Sequence, residues 1–153
     1  MDSRPAQASD IRLQDVEASD IEIFYDQQLD PEATTMAAFP ARDRESHFAH
    51  WNKILKDASN ITRTIVAAGQ VAGNIGSWIQ DEQREIGYWI GKAHWGRGVA
   101  TSALEQFLQT VDERPLYAWA ARHNRGSIRV LEKCGFLFDR DESDHVVFKM
   151  PDH

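Results

Sequence analysis

The chain has 153 residues, of which 42% are hydrophobic and 27% are charged, and this size and composition are typical of one folded domain. A net charge of -7 argues against a nucleic-acid-binding protein, and the single cysteine, Cys134, excludes an internal disulfide and a cysteine-based zinc cluster. The longest unbroken apolar run, Leu116–Ala121, is far shorter than the ~20 residues of a membrane-spanning helix. The N-terminus also lacks the pattern of a signal peptide, so we expect a cytoplasmic protein with no nucleic-acid or membrane partner.

The first third of the chain has mainly helical patterns. Ile21, Phe24 and Tyr25 recur at the spacing that places residues on one helix face, and Phe48 and Trp51 do the same further on. The elements expected here are a strand over 11–16, a helix over 20–29, irregular chain over 31–41 and a helix over 44–56. Pro31 is read as the point where the first helix stops.

The rest of the chain is rich in strands. Gly69-Gln70 separates two β-rich runs and indicates a hairpin, whereas Val99, Ala103 and Phe107 lie four residues apart, as on a helix face. The elements expected are strands over 62–68, 71–79, 85–90, 115–121, 136–138 and 146–150, and helices over 98–111 and 124–134. This order predicts one α+β domain over residues 1–153, with a mixed, mostly antiparallel sheet flanked by about four helices.

A loop with two glycines, Gly96-Arg97-Gly98, connects the strand over 85–90 to the helix that follows. Glycines let the backbone turn tightly and approach a ligand closely, and the first N–H groups of a helix form an anion site. Arg97 can add a charge-assisted contact. The sequence lacks the lysine of a Walker A loop and the third glycine of a dinucleotide fingerprint. A plain turn is the alternative interpretation.

Positive charge is concentrated near the last predicted helix. Residues 122–133 contain Arg122, Arg125, Arg129 and Lys133 against one acid. A small basic island in an acidic protein favours a compact anionic ligand, and a solvated helix face is the alternative.

Three motifs follow one another in the order of a known family. Glu85-Ile86-Gly87-Tyr88-Trp89-Ile90-Gly91 leads into Trp95-Gly96-Arg97-Gly98-Val99-Ala100, which is followed one strand later by Asn124–Phe136. The second motif is similar to the pyrophosphate-binding Arg/Gln-x-x-Gly-x-Gly/Ala pattern, and the third to Asn-x-x-Ser-x-x-Val-Leu-Glu-Lys-x-Gly-Phe. Together they resemble the GNAT superfamily, in particular its ribosomal-protein N-acetyltransferase-like (RimJ/RimL) branch. Trp95 departs from the usual Arg or Gln, which removes a side chain but leaves the backbone amides.

The resemblance implies an acetyl-CoA-dependent N-acetyltransferase that uses acetyl-CoA as co-substrate and needs no metal. It would transfer the acetyl group by direct attack of a primary amine, which could belong to a protein N-terminus or a small molecule. A non-catalytic acyl-CoA-binding sensor or interaction module is the alternative. The expected partners are acetyl-CoA and an amine acceptor, with a homodimer left open. Residues 1–60 hold twelve acids against six Lys or Arg, which favours a cationic acceptor.

By the same resemblance, amides of the glycine loop hold the pyrophosphate of the cofactor. The edge of the strand over 85–90 pairs with the pantetheine arm and splays from the strand over 115–121, and an amide near Trp89 or Ile90 faces the thioester oxygen. The cofactor-binding residues expected are Trp89, Ile90, Gly91, Trp95, Gly96, Arg97, Gly98, Val99, Ala100, Thr101, Asn124 and Ser127.

Two side chains are candidates for the chemistry. The family places a carboxylate at the strand position of Glu85 in many members, which makes Glu85 the candidate general base, with a solvated carboxylate beside Arg84 as the alternative. Ser127 could donate a proton to the thiolate, hydrogen-bond the cofactor or only cap the helix backbone. Asn124 is expected to cap that helix, with a ligand contact as a second role. Leu131 stands where many relatives carry a proton-donating tyrosine.

Aromatic side chains are expected to wall the acceptor pocket. The residues proposed for it are Tyr25, Phe39, Trp51 and Tyr88. His47 and His50, three residues apart, could suggest a metal site, but no third ligand lies at helical spacing, so a polar helix face is expected there.

Overall fold

Seven strands and five helices make up residues 10–152, the part of the chain that this computed structural model describes. The strands are β1 (Ile11–Gln14), β2 (Ile61–Ala67), β3 (Gln70–Gln80), β4 (Gln83–Ile90), β5 (Leu116–Ala121), β6 (Leu137–Glu142) and β7 (His145–Met150). The helices are α1 (Ala18–Gln28), α2 (Pro31–Ala37), α3 (Arg44–Lys56), α4 (Val99–Leu108) and α5 (Arg125–Lys133). The strands form one open sheet in the order β1-β2-β3-β4-β5-β7-β6, which confirms the predicted α+β class.

Helix α2 corrects the expectation of irregular chain after α1. The Asp30 side chain accepts hydrogen bonds from the backbone N–H groups of Glu32 and Ala33 at 2.8 and 3.1 Å and so caps a new helix. Pro31 occupies its first turn, where a missing N–H costs nothing. The proline was read as a stop for α1, but it also favours a start, and the described chain therefore has one helix more than expected.

Two tight hairpin turns set the register of the strands that lead to the site. Ala68-Gly69 and Asp81-Glu82 are two-residue loops in which every residue has a positive φ, between 50° and 82°. Such turns match the twist of antiparallel strands and fix their pairing. The second turn therefore places Trp78 of β3 directly opposite Glu85 of β4.

The sheet opens between β4 and β5. These strands run parallel and pair only at Arg84 with Leu116 and at Glu85 with Tyr117. Beyond these pairs the two strands separate, while β5 stays paired with β7 along its whole length. The predicted break in the sheet is confirmed, and it creates a wedge-shaped gap at the carboxyl ends of β4 and β5.

Helices cover the two faces of the sheet. On one face, α4 and α5 bury a core that includes Leu104, Phe107 and Leu116, each 0% exposed. On the other face, α1 and α3 pack through Phe24 and Trp51, whose ring centroids lie 5.0 Å apart. The gap between β4 and β5 therefore connects two helical layers.

None of the described helices combines the length and the apolar character needed to cross a bilayer.

Candidate active site

A groove of about 1240 Å³ passes through the gap between β4 and β5. Its walls come from the first turns of α4 and α5 on one side of the sheet and from α1, α2 and α3 on the other side. Pockets of this size hold ligands as large as cofactors. The groove thus joins the predicted cofactor loop to the predicted acceptor region.

The glycine loop presents backbone amides to this groove. Gly96 and Gly98 have φ angles of 75° and 73°, in the left-handed region that glycine occupies without strain, and both line the groove. Gly98 is the N-cap of α4, so the N–H groups of Val99–Thr101 have no partner within the helix. The Trp95 indole donates a 2.9 Å hydrogen bond to the carbonyl of Ile90 and fastens the loop to the end of β4. The loop has the geometry of an anion site.

The first turn of α5 meets the groove beside the loop. Asn124 caps this helix, since its Oδ1 accepts a 3.1 Å hydrogen bond from the Ser127 backbone N–H. Arg125, Arg129 and Lys133 line the groove, which places most of the predicted basic island at the anion site. Arg122 instead pairs with Asp141 at 2.7 Å. The N-termini of α4 and α5 and three cationic side chains of α5 therefore all line the groove.

Tyr88 and Ser127 join β4 to α5 across the gap. The Tyr88 Oη and Ser127 Oγ atoms lie 2.8 Å apart, within hydrogen-bond distance. Burial raises the pKa of Tyr88 to about 12, so its phenol keeps its proton at neutral pH and can donate to the serine. Leu131 is 2% exposed and belongs to the core. By the family resemblance, many relatives carry a tyrosine at the position of Leu131, whose side chain is packed in the core here. The phenol that contacts Ser127 belongs instead to Tyr88 on β4.

Glu85 lies at the point where β4 and β5 part. It pairs with Tyr117, is 7% exposed and faces α1–α3, so it does not fit the alternative of a solvated carboxylate. Trp78 lies directly opposite Glu85 on β3, and Trp119 of β5 lines the groove with it. Gly87 leaves room for the Trp78 ring, because a Cβ there would lie 2.8 Å from Cη2 of that ring. Glu85 is thus a buried acid that shares the groove with two tryptophans where β4 and β5 part.

The environment of Glu85 shifts its proton affinity. Burial raises the pKa of this carboxyl above its ordinary value, and the negative charge of Asp81 acts in the same direction. Interactions with the two indoles and the positive charge of Arg140 oppose the shift without cancelling it. A carboxylate with a raised pKa is a stronger base than an exposed one and is suited to accept a proton.

Replacing Glu85 by glutamine should raise the free energy of unfolding at neutral pH. Because the folded-state pKa is raised, ionisation opposes folding above the unfolded-state pKa, and this penalty disappears as the pH falls below it. Denaturant unfolding at pH 7 and at about pH 4 should therefore show a stabilised variant at the higher pH and a smaller difference at the lower one. A variant less stable than the parent at pH 7 would contradict the raised pKa.

Two buried polar atoms of the groove lack a protein partner. Within residues 10–152, Trp89 Nε1 and His94 Nδ1 are buried and make no hydrogen bond. Both residues line the groove. Buried polar atoms are usually satisfied, so these two mark places where a bound molecule can supply the missing hydrogen bonds.

The backbone amides at the end of β4 point alternately toward β3 and toward the gap. The N–H of Gly91 donates a 2.8 Å hydrogen bond to the carbonyl of Ala72 and therefore points toward β3. Since successive N–H groups alternate in direction along a strand, the N–H of Ile90 points the other way, toward β5. Of the two predicted amides, Ile90 rather than Trp89 is placed to meet a ligand in the gap.

The structure brings most of the predicted site residues together but leaves three outside the groove lining. Phe39, Trp51 and Tyr88 line it, as do the predicted cofactor residues other than Gly91 and Arg97. The Tyr25 ring packs against His47 instead, with 5.4 Å between ring centroids. The N–H of Gly91 already donates to the carbonyl of Ala72 and is not available to a ligand. Backbone hydrogen bonds to a ligand must therefore come from neighbouring residues.

His47 and His50 of α3 were expected on a polar helix face, but His47 is buried and His50 is half-buried. His47 is 4% exposed, and its Nε2 lies 3.0 Å from the carbonyl oxygen of Ile21, so it connects α3 to α1. His50 lines the groove. Burial lowers the pKa of both, which keeps them neutral at pH 7. Among residues 10–152, no three His, Cys, Asp or Glu side chains are grouped as metal ligands would be.

The groove residues that the sequence analysis missed include Trp78, Trp119 and Arg42. Trp78 could have been found, because a two-residue turn at Asp81-Glu82 places it opposite Glu85. Trp119 and Arg42 reach the groove through contacts between segments distant in sequence, and no local pattern indicates them.

The splayed sheet, the anion site at two helix N-termini and the buried carboxylate define the class of acyl-CoA-binding α+β domains. A model of the Acetyltransferase (GNAT) domain family matches residues 10–137. The chain therefore belongs to the GNAT acetyltransferase family, whose enzymes take the acetyl group from acetyl-CoA.

Comparison with individual proteins gives one sequence relative and many structural ones. The chain is 29% identical over 101 residues to the Bacillus subtilis (strain 168) protein named "Putative ribosomal N-acetyltransferase YdaF". The alignment covers 61% of this chain and 55% of that protein, so the chain matches little more than half of that relative. An acetyltransferase from Agrobacterium tumefaciens str. C58 has a TM-score of 0.78 at 21% identity, covering 97% of this chain and 95% of that one. A spermidine N-acetyltransferase from Vibrio cholerae, in complex with CoA and spermine, has a TM-score of 0.76 at 17% identity, covering 93% and 94%. These two likenesses establish the fold.

Proposed function

We propose that this chain transfers the acetyl group of acetyl-CoA to a primary amine by direct attack. The observation that carries the proposal is the buried carboxylate of Glu85, which shares one groove with the anion site of α4 and α5. A carboxylate there can accept the proton of the amine, and the anion site can hold the diphosphate of the donor. The Vibrio cholerae relative, in complex with CoA and spermine, supports an amine as acceptor.

The donor is held by groups that carry a full or a partial positive charge. The N–H groups of Val99–Thr101 bind the pyrophosphate, and Arg125, Arg129 and Lys133 neutralise the remaining phosphate charge. The N–H of Ile90 donates to the thioester oxygen, on which negative charge develops during attack. Losing one such donor typically costs about 100- to 1000-fold in rate.

The proton of the amine passes to Glu85. At neutral pH a primary amine is mostly protonated and cannot attack, so a base must remove one proton before the C–N bond forms. The raised pKa of Glu85 makes it a better acceptor than an exposed glutamate. As the C–S bond breaks, the nitrogen gives up its second proton, which ends on the departing thiolate and yields the free thiol. The Ser127 hydroxyl donates a hydrogen bond to this sulfur, and Tyr88 orients that hydroxyl.

Replacing Tyr88 by phenylalanine should lower turnover about 3- to 10-fold without changing the affinity for CoA. The phenol contributes one hydrogen bond to Ser127, worth about 1 kcal/mol. Tyr117→Phe is a matched control, because Tyr117 is also buried in a strand but is not among the residues that line the groove. Steady-state kinetics and calorimetry with CoA measure the two effects. Equal turnover of the two variants would contradict the role of Tyr88.

Within the family, we place the chain in the ribosomal-protein N-acetyltransferase-like branch. Two observations support this: the Asn124–Phe136 signature and the similarity to the Bacillus subtilis relative.

A thiol-release assay tests the proposed function. The protein is incubated with acetyl-CoA and a panel of amines that includes peptide N-termini, amino acids and polyamines, and free thiol is measured. Release that depends on both acetyl-CoA and an amine is expected. Tight binding of acetyl-CoA without release for any amine would favour the alternative, a non-catalytic acyl-CoA-binding sensor.

A further inference from the structure

The acceptor side of the groove contains a single acid. Of the described residues that line the groove, Glu85 is the one Asp or Glu. Several acids of the first third of the chain are engaged elsewhere: Asp20 bonds Thr64, Asp30 and Asp43 cap helices, Glu22 pairs with Arg44, and Glu32 pairs with Lys92. None of the acids among residues 10–60 lines the groove, so the charge count that favoured a cationic acceptor does not describe the acceptor side itself.

Arg42 brings a positive charge to the same part of the groove, where it acts on His47 and His50. It lies in the loop between α2 and α3 and lines the groove together with Phe39 and His50. The Gln28 side chain holds its backbone twice, since Oε1 accepts from the Arg42 N–H at 2.6 Å and Nε2 donates to its carbonyl at 3.0 Å. Its guanidinium lies 5.2 Å from the centroid of the Phe39 ring. The loop that carries Arg42 is therefore anchored to α1.

The guanidinium of Arg42 has no carboxylate partner within residues 10–152, unlike that of Arg44, which pairs with Glu22. His50, its neighbour in the groove, is kept neutral by burial and by the positive charge of Arg42. Arg42 thus supplies the positive charge at the acceptor side and remains available to bind an anion.

We propose that the acceptor carries an anionic group in addition to its amine, and that Arg42 binds this group while Glu85 faces the amine. The inference rests on the proposed function. A guanidinium binds a carboxylate or a phosphate through paired hydrogen bonds, which discriminate against neutral and cationic analogues. A polyamine would bring a second positive charge next to Arg42, so polyamines are poor acceptors.

Matched pairs of acceptors test the inference in the thiol-release assay. ω-Amino acids of increasing length are compared with their amides, O-phosphoethanolamine is compared with ethanolamine, and spermidine is the cationic case. We expect kcat/KM for the best anionic member to exceed that of its neutral partner about tenfold or more, as for a hydrogen bond to a charged group. The carboxylate and phosphate arms show which anion is preferred.

Two variants connect the preference to Arg42. Arg42→Gln should bring the ratio between anionic and neutral acceptors close to one by raising KM for the anionic member, and Arg42→Lys should restore part of it. Arg44→Gln is the control, because that arginine is outside the groove lining and is paired with Glu22. Calorimetry with CoA should give the same affinity for all three variants.

The outcomes separate the inference from the proposed function. Preference for spermidine or for the neutral amines, or an unchanged ratio in Arg42→Gln, would overturn the inference and leave the acetyltransferase activity standing. No thiol release from any amine would overturn the proposed function and this inference with it.

Discussion

Replacing Glu85 by glutamine should lower turnover at pH 7 by about 100-fold or more while the affinity for CoA stays unchanged. The variant keeps the shape of the side chain but cannot accept the proton of the amine. Glu85 is the one acid among the described groove-lining residues, so no neighbouring carboxylate can replace it. Steady-state kinetics with a verified acceptor measures the loss.

The pH dependence distinguishes loss of a base from loss of structure. The deficit should shrink as the pH rises toward the pKa of the amine, since free amine then becomes abundant. In the parent protein, activity should fall as the pH drops through the raised pKa of Glu85, and the variant should lack this limb. Glu82→Gln, in the exposed turn of the same hairpin, is the control and should turn over normally. Normal turnover of Glu85→Gln at pH 7 would eliminate Glu85 as the base.

Replacing Gly98 by valine should weaken CoA binding at least tenfold, which corresponds to about 1.4 kcal/mol. The φ angle of Gly98 is 73°, a conformation that a β-branched residue rarely adopts, so the loop must shift. The shift would move the N–H groups of Val99–Thr101 away from the pyrophosphate. Calorimetry with CoA on the folded variant measures the change in affinity.

Gly69→Val supplies the matched control. Gly69 has a φ angle of 82° and lies in the β2–β3 hairpin outside the groove lining, so valine there introduces similar backbone strain without touching the site. Both variants should lose some thermal stability, but only Gly98→Val should lose affinity for CoA. Unchanged affinity in a folded Gly98→Val protein would show that the pyrophosphate does not bind at the start of α4.

Local patterns were enough to predict most elements and part of the groove lining. The glycines of the Gly96–Gly98 loop, the Asn124 cap and the periodicity of α4 depend on neighbours in sequence, and the structure bears out each of them. Helix α2 was missed because Pro31 both ends one helix and begins the next, and a single residue cannot tell these roles apart.

The chemistry of the proposed site depends on contacts between distant segments. Tyr88 meets Ser127 across 39 positions, and Arg42 reaches the groove because Gln28, 14 positions away, holds its backbone. Both contacts exist only once the sheet and helices have packed. The order of the motifs indicated which segments hold the cofactor, but it could not show which side chains line the rest of the groove.

The sequence by itself determined the element order apart from α2, the turns and the family motifs, because backbone conformation, capping and periodicity are set within a few residues. Only the tertiary structure decided that Glu85 is buried in a groove that Trp78 and Trp119 also line, and that β4 and β5 part beside it. It also decided that the guanidinium of Arg42 has no carboxylate partner among residues 10–152. Burial and charge pairing arise from segments far apart in the chain, and they set the proton affinity of Glu85 and the charge of the groove.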